Sequence, residues 1–194
     1  VTTRHDPSSS AASVFPALEM ERAGMIVGPR TFSTGEIIYG AKAAEVYAQI
    51  DSLDDARAHV RRLKAQGAHS IKNYNQPRRE QRQQVVAATI EENMRSVAEG
   101  GSLFGFDMTL VADGNTTVEH NIPLSTFYDD VLQFFSKSKT GYTQTLVVTY
   151  GGPAGDPYWR SHTDVWKHPL LQKHEPSAIL NAANVRRPLA ADDD

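Results

Sequence analysis

The stretch SLDDARAHVRRLKAQGAHSIKNY, residues 52–74, contains the structural unit from which the rest of the chain is built. Ser52 followed by Asp55 is a capping-box variant that predicts a helix start. Apolar residues then recur at three- and four-residue steps, and Gly67 is typical of a helix end. Residues 69–74 come directly after this amphipathic helix and are predicted to form a strand. A helix followed closely by a strand is the repeating unit of a parallel α/β sheet.

The same alternation continues along the chain. Strands are predicted at residues 1–5, 25–27, 69–74, 96–98, 116–120 and 142–150, and helices at 12–23, 53–66, 77–95, 104–112 and 126–140. The glycine-rich segment 28–35 is predicted to be a loop. No glycine fingerprint of a dinucleotide site follows the first strand. These patterns favour an α/β fold of the barrel type over a doubly wound sheet.

Composition excludes several classes of protein. The 194 residues include no cysteine, 40% are hydrophobic, and the formal net charge is −3. A chain without cysteine has neither a disulfide framework nor a thiolate metal site. Its apolar runs are too short to span a bilayer, and its near-neutral charge exerts no overall attraction toward nucleic acid or an anionic membrane.

Polar side chains lie at the carboxyl ends of three successive predicted strands, at Lys72, Glu99 and His120. The carboxyl ends of parallel barrel strands meet at one edge, so these three residues are expected to converge on one pocket. Carboxylate oxygen and imidazole nitrogen suit Zn²⁺ or Mn²⁺. A lysine ammonium has no lone pair, so Lys72 becomes a ligand only as a carbamate. The alternatives are a solvated lysine, a solvent-facing glutamate and a hydrogen-bonded structural histidine.

A run of basic residues between positions 57 and 82 admits two interpretations. It contains eight lysines and arginines against one acidic residue, Glu80. Such a run indicates either an anion-binding face for nucleic acid or the solvated sides of two helices. The second interpretation is the more common one, so we expect no nucleic-acid partner.

Three short stretches resemble the amidohydrolase superfamily, specifically its imidazolonepropionase-like and prolidase-like branch as found fused to Tol-type β-propellers. They are GAHSIKNY at 67–74, EGGSLF at 99–104 and TVEHNIP at 117–123. The opening VTTRHDPS, residues 1–8, is similar to the second barrel strand of that branch. The resemblance implies a metal-dependent hydrolase of amide C–N bonds in small, cyclic or dipeptide-like substrates. It also implies a TIM (β/α)₈ barrel.

The resemblance implies a site built from four residues. Lys72 matches the carboxylated lysine that bridges one or two divalent metal ions, with zinc the expected metal, and His120 matches a metal-binding histidine. Glu99 stands where the family usually has a histidine and is expected to be a substitute ligand. Tyr74 is expected at the pocket rim, in contact with substrate. A His-x-His pair and a late aspartate of the family have no counterpart here, so no catalytic residue is assigned.

These features predict a partial TIM barrel with about six of its eight strands. Residues 1–150 are predicted to form the incomplete hydrolase barrel, and residues 151–194 an irregular segment with an acidic tail. A complete barrel takes about 250 residues, so we expect a fragment of a longer, multidomain parent that is inactive alone. The alternative is a non-catalytic binding module on a degenerate barrel scaffold. We expect no membrane partner. The sequence does not identify the cellular compartment, and a soluble, periplasmic or secreted parent is consistent with it.

Overall fold

A computed structural model describes residues 1–42, 48–145 and 163–182 of the chain. The chain divides into two units, Val1–Thr143 and Gln144–Asp194. Strands and helices alternate in the first unit in the order β1 Thr3–Asp6, α1 Ala11–Arg22, β2 Arg30–Ser33, α2 Leu53–Gln66, β3 Ser70–Asn73, α3 Arg79–Glu91, β4 Arg95–Glu99, α4 Phe104–Ala112, β5 Thr117–Glu119, α5 Asp129–Ser138 and β6 Gly141–Thr143. The predicted alternation is therefore confirmed in this unit.

Helix α2 begins and ends where its sequence predicts. The Ser52 hydroxyl accepts a hydrogen bond from the Asp55 backbone N–H at 3.2 Å, which satisfies one of the unpaired donors of the first turn. Gly67 ends the helix in the left-handed conformation, with φ of 107°, and its N–H bonds back into the last turn. Such a backbone favours glycine because a Cβ is strained there. These caps place β3 directly after the helix.

All the strand pairs in the described residues are parallel. Strands β1 and β2 form one sheet, and β3, β4, β5 and β6 form a second sheet in chain order. Two contacts connect β2 and the segment after it to β3. The His69 N–H donates to the Ser33 carbonyl at 3.0 Å, and Ile38 forms a parallel bridge with Asn73. The α/β class with parallel sheets is thus confirmed.

One face of the second sheet packs against helices. Ile71 on β3 belongs to an apolar cluster with the buried faces of α2 and α3, together with Ile38, Ala48, Ile50, Ala56, Val60, Leu63, Ala68, Val85 and Ala88. Ala98 and Val118 pack with Leu110 and Val111 of α4. Because side chains alternate along a strand, the residues between these lie on the opposite face. We call this opposite face the polar face; besides the buried Val97 it comprises Ser70, Lys72, Glu99, Thr117 and Glu119.

The second strand lies later in the sequence than predicted. Residues 25–27 are not a strand, and Met25 and Val27 are largely exposed. Strand β2 instead lies inside the predicted loop, at Arg30–Ser33. Its buried Ser33 hydroxyl donates to the Asp6 carboxylate at 2.8 Å, and a neighbouring buried threonine donates to a backbone carbonyl. Side-chain hydrogen bonds therefore allow a polar segment to be buried in a sheet, which hydrophobic periodicity does not detect.

Two other boundaries differ from the prediction. Helix α3 ends at Glu91, and Ile90, which the periodicity placed on a buried face, is 65% exposed. The Met94 N–H bonds back to the last turn, and β4 then begins at Arg95. Strand β6 covers only Gly141–Thr143, and the part of the predicted strand at 146–150 lies outside the described residues.

The described residues 163–182 of the second unit contain three short helices. They are a 3₁₀-helix at Val165–Lys167, α6 at Pro169–His174 and α7 at Ser177–Ala182. The predicted boundary near residue 150 stays a prediction. Across the described parts of both units, no helix combines the length and the apolar character that a bilayer span requires.

Candidate functional site

Lys72 and His120 both contact Glu99, at the carboxyl ends of β3, β4 and β5. Lys72 Nζ lies 2.5 Å from Glu99 Oε2, and His120 Nε2 lies 2.8 Å from Glu99 Oε1. The side chains are 4%, 15% and 40% exposed, respectively. Lys72 is therefore not a solvated lysine, and Glu99 does not face solvent. The three residues that the sequence singles out form one cluster, which we call the Lys72 cluster.

The loop after Glu99 is held in a single conformation by two hydrogen bonds. The Gly100 N–H donates to the Glu119 carbonyl at 2.9 Å, and the Gly101 N–H donates to Asp107 Oδ1 at 2.7 Å. A Cβ on Gly100 would lie 2.2 Å from the Glu119 carbonyl oxygen, so only glycine fits. The two glycines that follow Glu99 thus connect the loop backbone to β5 and to α4.

Asp107 is fully buried at the start of α4. Burial raises the pKa of Asp107, and the hydrogen bond from Gly101 opposes that change. The other carboxylate oxygen, Oδ2, has no hydrogen-bond partner in the described part of the chain. This carboxylate was not recognised from the sequence, because an aspartate in a helical first turn is commonly a solvated capping residue.

His120 has a backbone conformation that is uncommon for a residue with a side chain. Its φ is +69°, in the left-handed region, immediately after β5 ends. The His120 N–H donates to the Thr143 carbonyl at 2.9 Å, which ties the residue to β6. Sparsely populated backbone conformations are costly and concentrate at functional sites. Here the turn brings the imidazole toward the Glu99 carboxylate.

Tyr74 lies next to the Lys72 cluster. It follows Asn73, whose side chain is buried on the helix side, so alternation puts Tyr74 on the polar face with Lys72. Its ring packs edge-on against Tyr39, with centroids 5.2 Å apart and an interplanar angle of 87°. Tyr39 was missed because no element was predicted for the segment that carries it.

A histidine on β1 reaches the same face. His5 Nε2 lies 2.8 Å from the Ser70 hydroxyl, although β2 lies between their strands. Burial lowers the pKa of His5, the positive charge of Lys72 adds to this effect, and Glu119 and Asp6 partly oppose it. His5 is therefore predominantly neutral at pH 7. The sequence indicates only that His5 is the last residue of the strand predicted at residues 1–5.

A cavity lined mainly by apolar residues lies on the helix side of the sheet. The cavity has a volume of about 400 Å³ and is lined by Ile122, Phe127, Val131, Leu132, Phe135, Ser136, Lys139, Thr140 and Tyr142. Tyr142 pairs in register with Val118, whose side chain packs against helices. This cavity therefore opens on the helix side of β6 and is separate from the Lys72 cluster.

Every cation of the basic run at 57–82 has a carboxylate partner in the folded chain. Each of its eight cations lies within 4.0 Å of a carboxylate, in the pairs Arg57–Glu91, Arg61–Glu92, Arg62–Glu36, Lys64–Glu92, Lys72–Glu99, Arg78–Asp51, Arg79–Asp113 and Arg82–Asp113. All of these partners come from outside the run, so a local charge count does not anticipate them. This pairing favours the interpretation as helix faces over a nucleic-acid surface.

The chemistry of the Lys72 cluster depends on the state of its lysine. With an ammonium at Lys72, the cluster is an ion pair extended by an imidazole. The described residues contain no group of three His, Cys, Asp or Glu side chains arranged to hold a metal ion. A metal centre here therefore needs Lys72 to become an oxygen donor.

Comparison with solved structures identifies hydrolases of similar fold. A Xaa-Pro dipeptidase with methionine bound in its active site matches 73% of this chain with a TM-score of 0.58 and 18% identity. A protein assigned as a prolidase from Bifidobacterium longum matches 94% with a TM-score of 0.62 and 16% identity. A bottromycin amidohydrolase matches 97% with a TM-score of 0.58 and 16% identity.

The chain spans 41%, 46% and 45% of the lengths of these three neighbours, respectively. Identities this low establish a shared fold and nothing more specific. No family model matches the sequence, and no curated protein matches it.

Proposed function

We propose that this chain carries part of the active site of a metal-dependent amide hydrolase that acts on small or dipeptide-like substrates. The observation that carries the proposal is the convergence of Lys72, Glu99 and His120 at the carboxyl ends of three neighbouring parallel strands. In barrels of alternating strands and helices, chemistry is located at this edge. The fold of the three solved neighbours supports the same proposal.

The donor set fits a divalent metal once Lys72 is modified. A neutral lysine amine adds to CO₂, forming an N–C bond and releasing one proton, and the resulting carbamate carries two oxygen donors. Together with the Glu99 carboxylate and the His120 imidazole, the carbamate completes an oxygen and nitrogen set suited to zinc.

Each residue has a proposed role. Lys72 as carbamate, Glu99 and His120 would hold one or two zinc ions, with Lys72 as the bridging ligand. A zinc ion, when bound, supplies Lewis acidity for the attack of water on an amide carbonyl. Tyr74 would orient the substrate from the rim. The described residues contain no assigned general base, so we propose that the chain is inactive alone.

The proposed scaffold is a partial (β/α)₈ barrel. In the residues that the structure describes, the first unit has six parallel strands that follow one another in chain order and are separated by helices. This is the arrangement expected of consecutive barrel strands. The contact between His5 and Ser70 joins strands that are two positions apart, about 10 Å in a flat sheet. Such a contact is expected where a sheet curves toward that face.

A non-catalytic binding module is the second candidate function. The observation that favours it is the direct pairing of Lys72 with Glu99, in which each side chain has a partner of opposite charge without any metal. In that case the three side chains would stabilise the ends of the strands. The two candidates differ in their response to zinc and bicarbonate.

Zinc content measured after dialysis tests the proposal. We expect the purified chain, incubated with bicarbonate and zinc, to retain zinc stoichiometrically, and Lys72→Ala to retain none. Lys64→Ala is the matched control, since Lys64 is exposed and pairs with Glu92 on a helix surface. With ¹³C-bicarbonate, a carbamate carbon signal should appear in the unmodified protein and be absent in Lys72→Ala.

Two results would contradict the proposal. If the unmodified chain retains no zinc, or if Lys72→Ala retains as much as Lys64→Ala, the non-catalytic module is favoured. Hydrolysis of dipeptides at rates comparable to a full-length hydrolase of this fold would contradict the proposed inactivity.

A further inference from the structure

Tyr39 is fixed beside the Lys72 cluster by backbone pairing rather than by a regular strand. The Ile38 N–H donates to the Lys72 carbonyl at 2.9 Å, and the Tyr74 N–H donates to the Ile38 carbonyl at 3.1 Å. Ile38 is therefore in register with Asn73. The segment that contains Ile38 therefore pairs with β3 on the edge of β3 that faces away from β4.

Alternation decides which way Tyr39 faces. Ile38 and Asn73 are 0% and 1% exposed, and both lie on the helix side. The residues that follow them, Tyr39 and Tyr74, consequently lie together on the polar face, where their rings meet edge-on. Asn73 pairs with Ala98 in the register of β3 and β4, so the residues that follow these two, Tyr74 and Glu99, are aligned with each other. The polar face thus presents two aromatic rings and then a carboxylate of the Lys72 cluster.

The segment that carries Tyr39 is held by a buried amide. Gln76 Oε1 accepts from the Gly40 N–H, and Gln76 Nε2 donates to the Ile38 carbonyl, both at 2.7 Å. A Cβ on Gly40 would lie 2.7 Å from Gln81 Nε2, so the segment packs against the amides without space for a side chain. The Tyr39 ring is therefore positioned before any ligand arrives, which lowers the entropic cost of binding to it.

We propose that Tyr39 and Tyr74 form an aromatic subsite that receives a bulky apolar group, aromatic or branched, adjacent to the scissile amide. This inference rests on the proposed function, because the Lys72 cluster defines where the amide lies. Both tyrosines are only half-buried, so apolar ring surface remains for a ligand to cover. Edge-to-face stacking and burial of apolar area both favour such a group over a methyl group. Tyr39 is thus a specificity-determining residue.

The test compares the binding of Ala-Phe and Ala-Ala to the purified chain, with and without zinc, by titration calorimetry. We expect Ala-Phe to bind about ten-fold more tightly, as covering part of a phenyl side chain implies. Tyr39→Ala should reduce this preference to about two-fold or less, whereas Tyr39→Phe, which keeps the ring, should retain it. Tyr128→Ala is the matched control, since Tyr128 is 74% exposed.

The outcomes separate this inference from the proposed function. If zinc binds through Lys72 but the preference for Ala-Phe is the same in Tyr39→Ala and Tyr128→Ala, the subsite is wrong and the hydrolase proposal stands. If no zinc binds but the preference still depends on the Tyr39 ring, the subsite stands and the metal proposal fails. Failure of both dipeptides to bind, with circular dichroism showing a folded protein, overturns the subsite.

Discussion

A buried ion pair between α3 and the end of α4 provides a stringent test of the packing described above. The Asp113 carboxylate is 1% exposed and the Arg82 guanidinium 4% exposed, and Arg82 Nε donates to Asp113 Oδ2 at 2.7 Å. Arg79 and Gln83 also donate to Asp113. The guanidinium lies 5.1 Å from the centroid of the Phe106 ring. Replacing Asp113 with alanine would leave a buried cation without its counter-charge.

The expected cost of Asp113→Ala is large. Removing one partner of a buried ion pair destabilises a protein by about 3–5 kcal/mol. That loss compares with a total stability of about 5–15 kcal/mol for a typical protein. At roughly 2–4 °C per kcal/mol for a chain of this size, the melting temperature should fall by about 6–20 °C.

Urea unfolding followed by far-UV circular dichroism measures this cost. Circular dichroism is chosen because both tryptophans, at positions 159 and 166, belong to the second unit, whereas the variant is in the first. Glu91→Ala is the matched control: it removes the partner of Arg57, but the Glu91 side chain is 40% exposed. Exposed pairs are screened by water, so a much smaller change is expected.

Two further results complete the test. The double variant Arg82→Met with Asp113→Ala should recover more than half of the loss, because no buried charge remains unpaired.

Burial acts to raise the pKa of Asp113, but hydrogen bonds from Arg79, Gln83 and Arg82 outweigh it, and the pKa lies below its ordinary value. The stabilisation is therefore present above pH ~4 and is lost as pH falls through the folded pKa, so the cost of Asp113→Ala should shrink in acid. A cost equal to that of Glu91→Ala would refute the reasoning.

Two other predictions concern the loop after Glu99. Because burial raises the pKa of Asp107, its charged form destabilises the folded chain as pH rises above ~4. We therefore expect the free energy of unfolding of Asp107→Asn, measured with urea and compared with that of the unmodified chain, to be more favourable at pH 7 than at pH 4. A difference that does not change with pH would contradict the prediction. Gly100→Ala should destabilise the chain by about 2 kcal/mol or more, since its Cβ would lie 2.2 Å from the Glu119 carbonyl oxygen. By contrast, Gly105→Ala in α4 has open space and should stabilise by about 0.5–1 kcal/mol, and equal effects of the two alanines would show that the close approach is absent.

Local signals were sufficient for the helices and for most strands. Helix α2 was predicted from a cap, a periodic apolar face and a terminal glycine, all of which act within a few residues. Strand β2 was missed because its burial depends on hydrogen bonds with β1, about 27 residues away, such as that between Ser33 and Asp6. A non-local partner of this kind leaves no trace in local hydrophobic periodicity.

The candidate site divides in the same way. Lys72, Glu99 and His120 were predicted together because each lies at the carboxyl end of a short strand. Parallel strands bring these ends to one edge of the sheet. Tyr39 and Asp107 were not predicted. The position of Tyr39 depends on bridge pairing with β3, and that of Asp107 on a contact with the Gly101 N–H.

The sequence by itself determined the alternation of strands and helices and the three polar residues at the strand ends, since caps, turns and apolar periodicity are local properties. Only the tertiary structure decided which charged side chains pair with one another. The basic run at 57–82 finds its carboxylate partners on other elements, and Lys72 finds Glu99 across a strand pair. Electrostatic and hydrogen-bond partners are set by distance in space, which folding alone establishes. The polar face, its cluster and its aromatic neighbour are products of that long-range pairing.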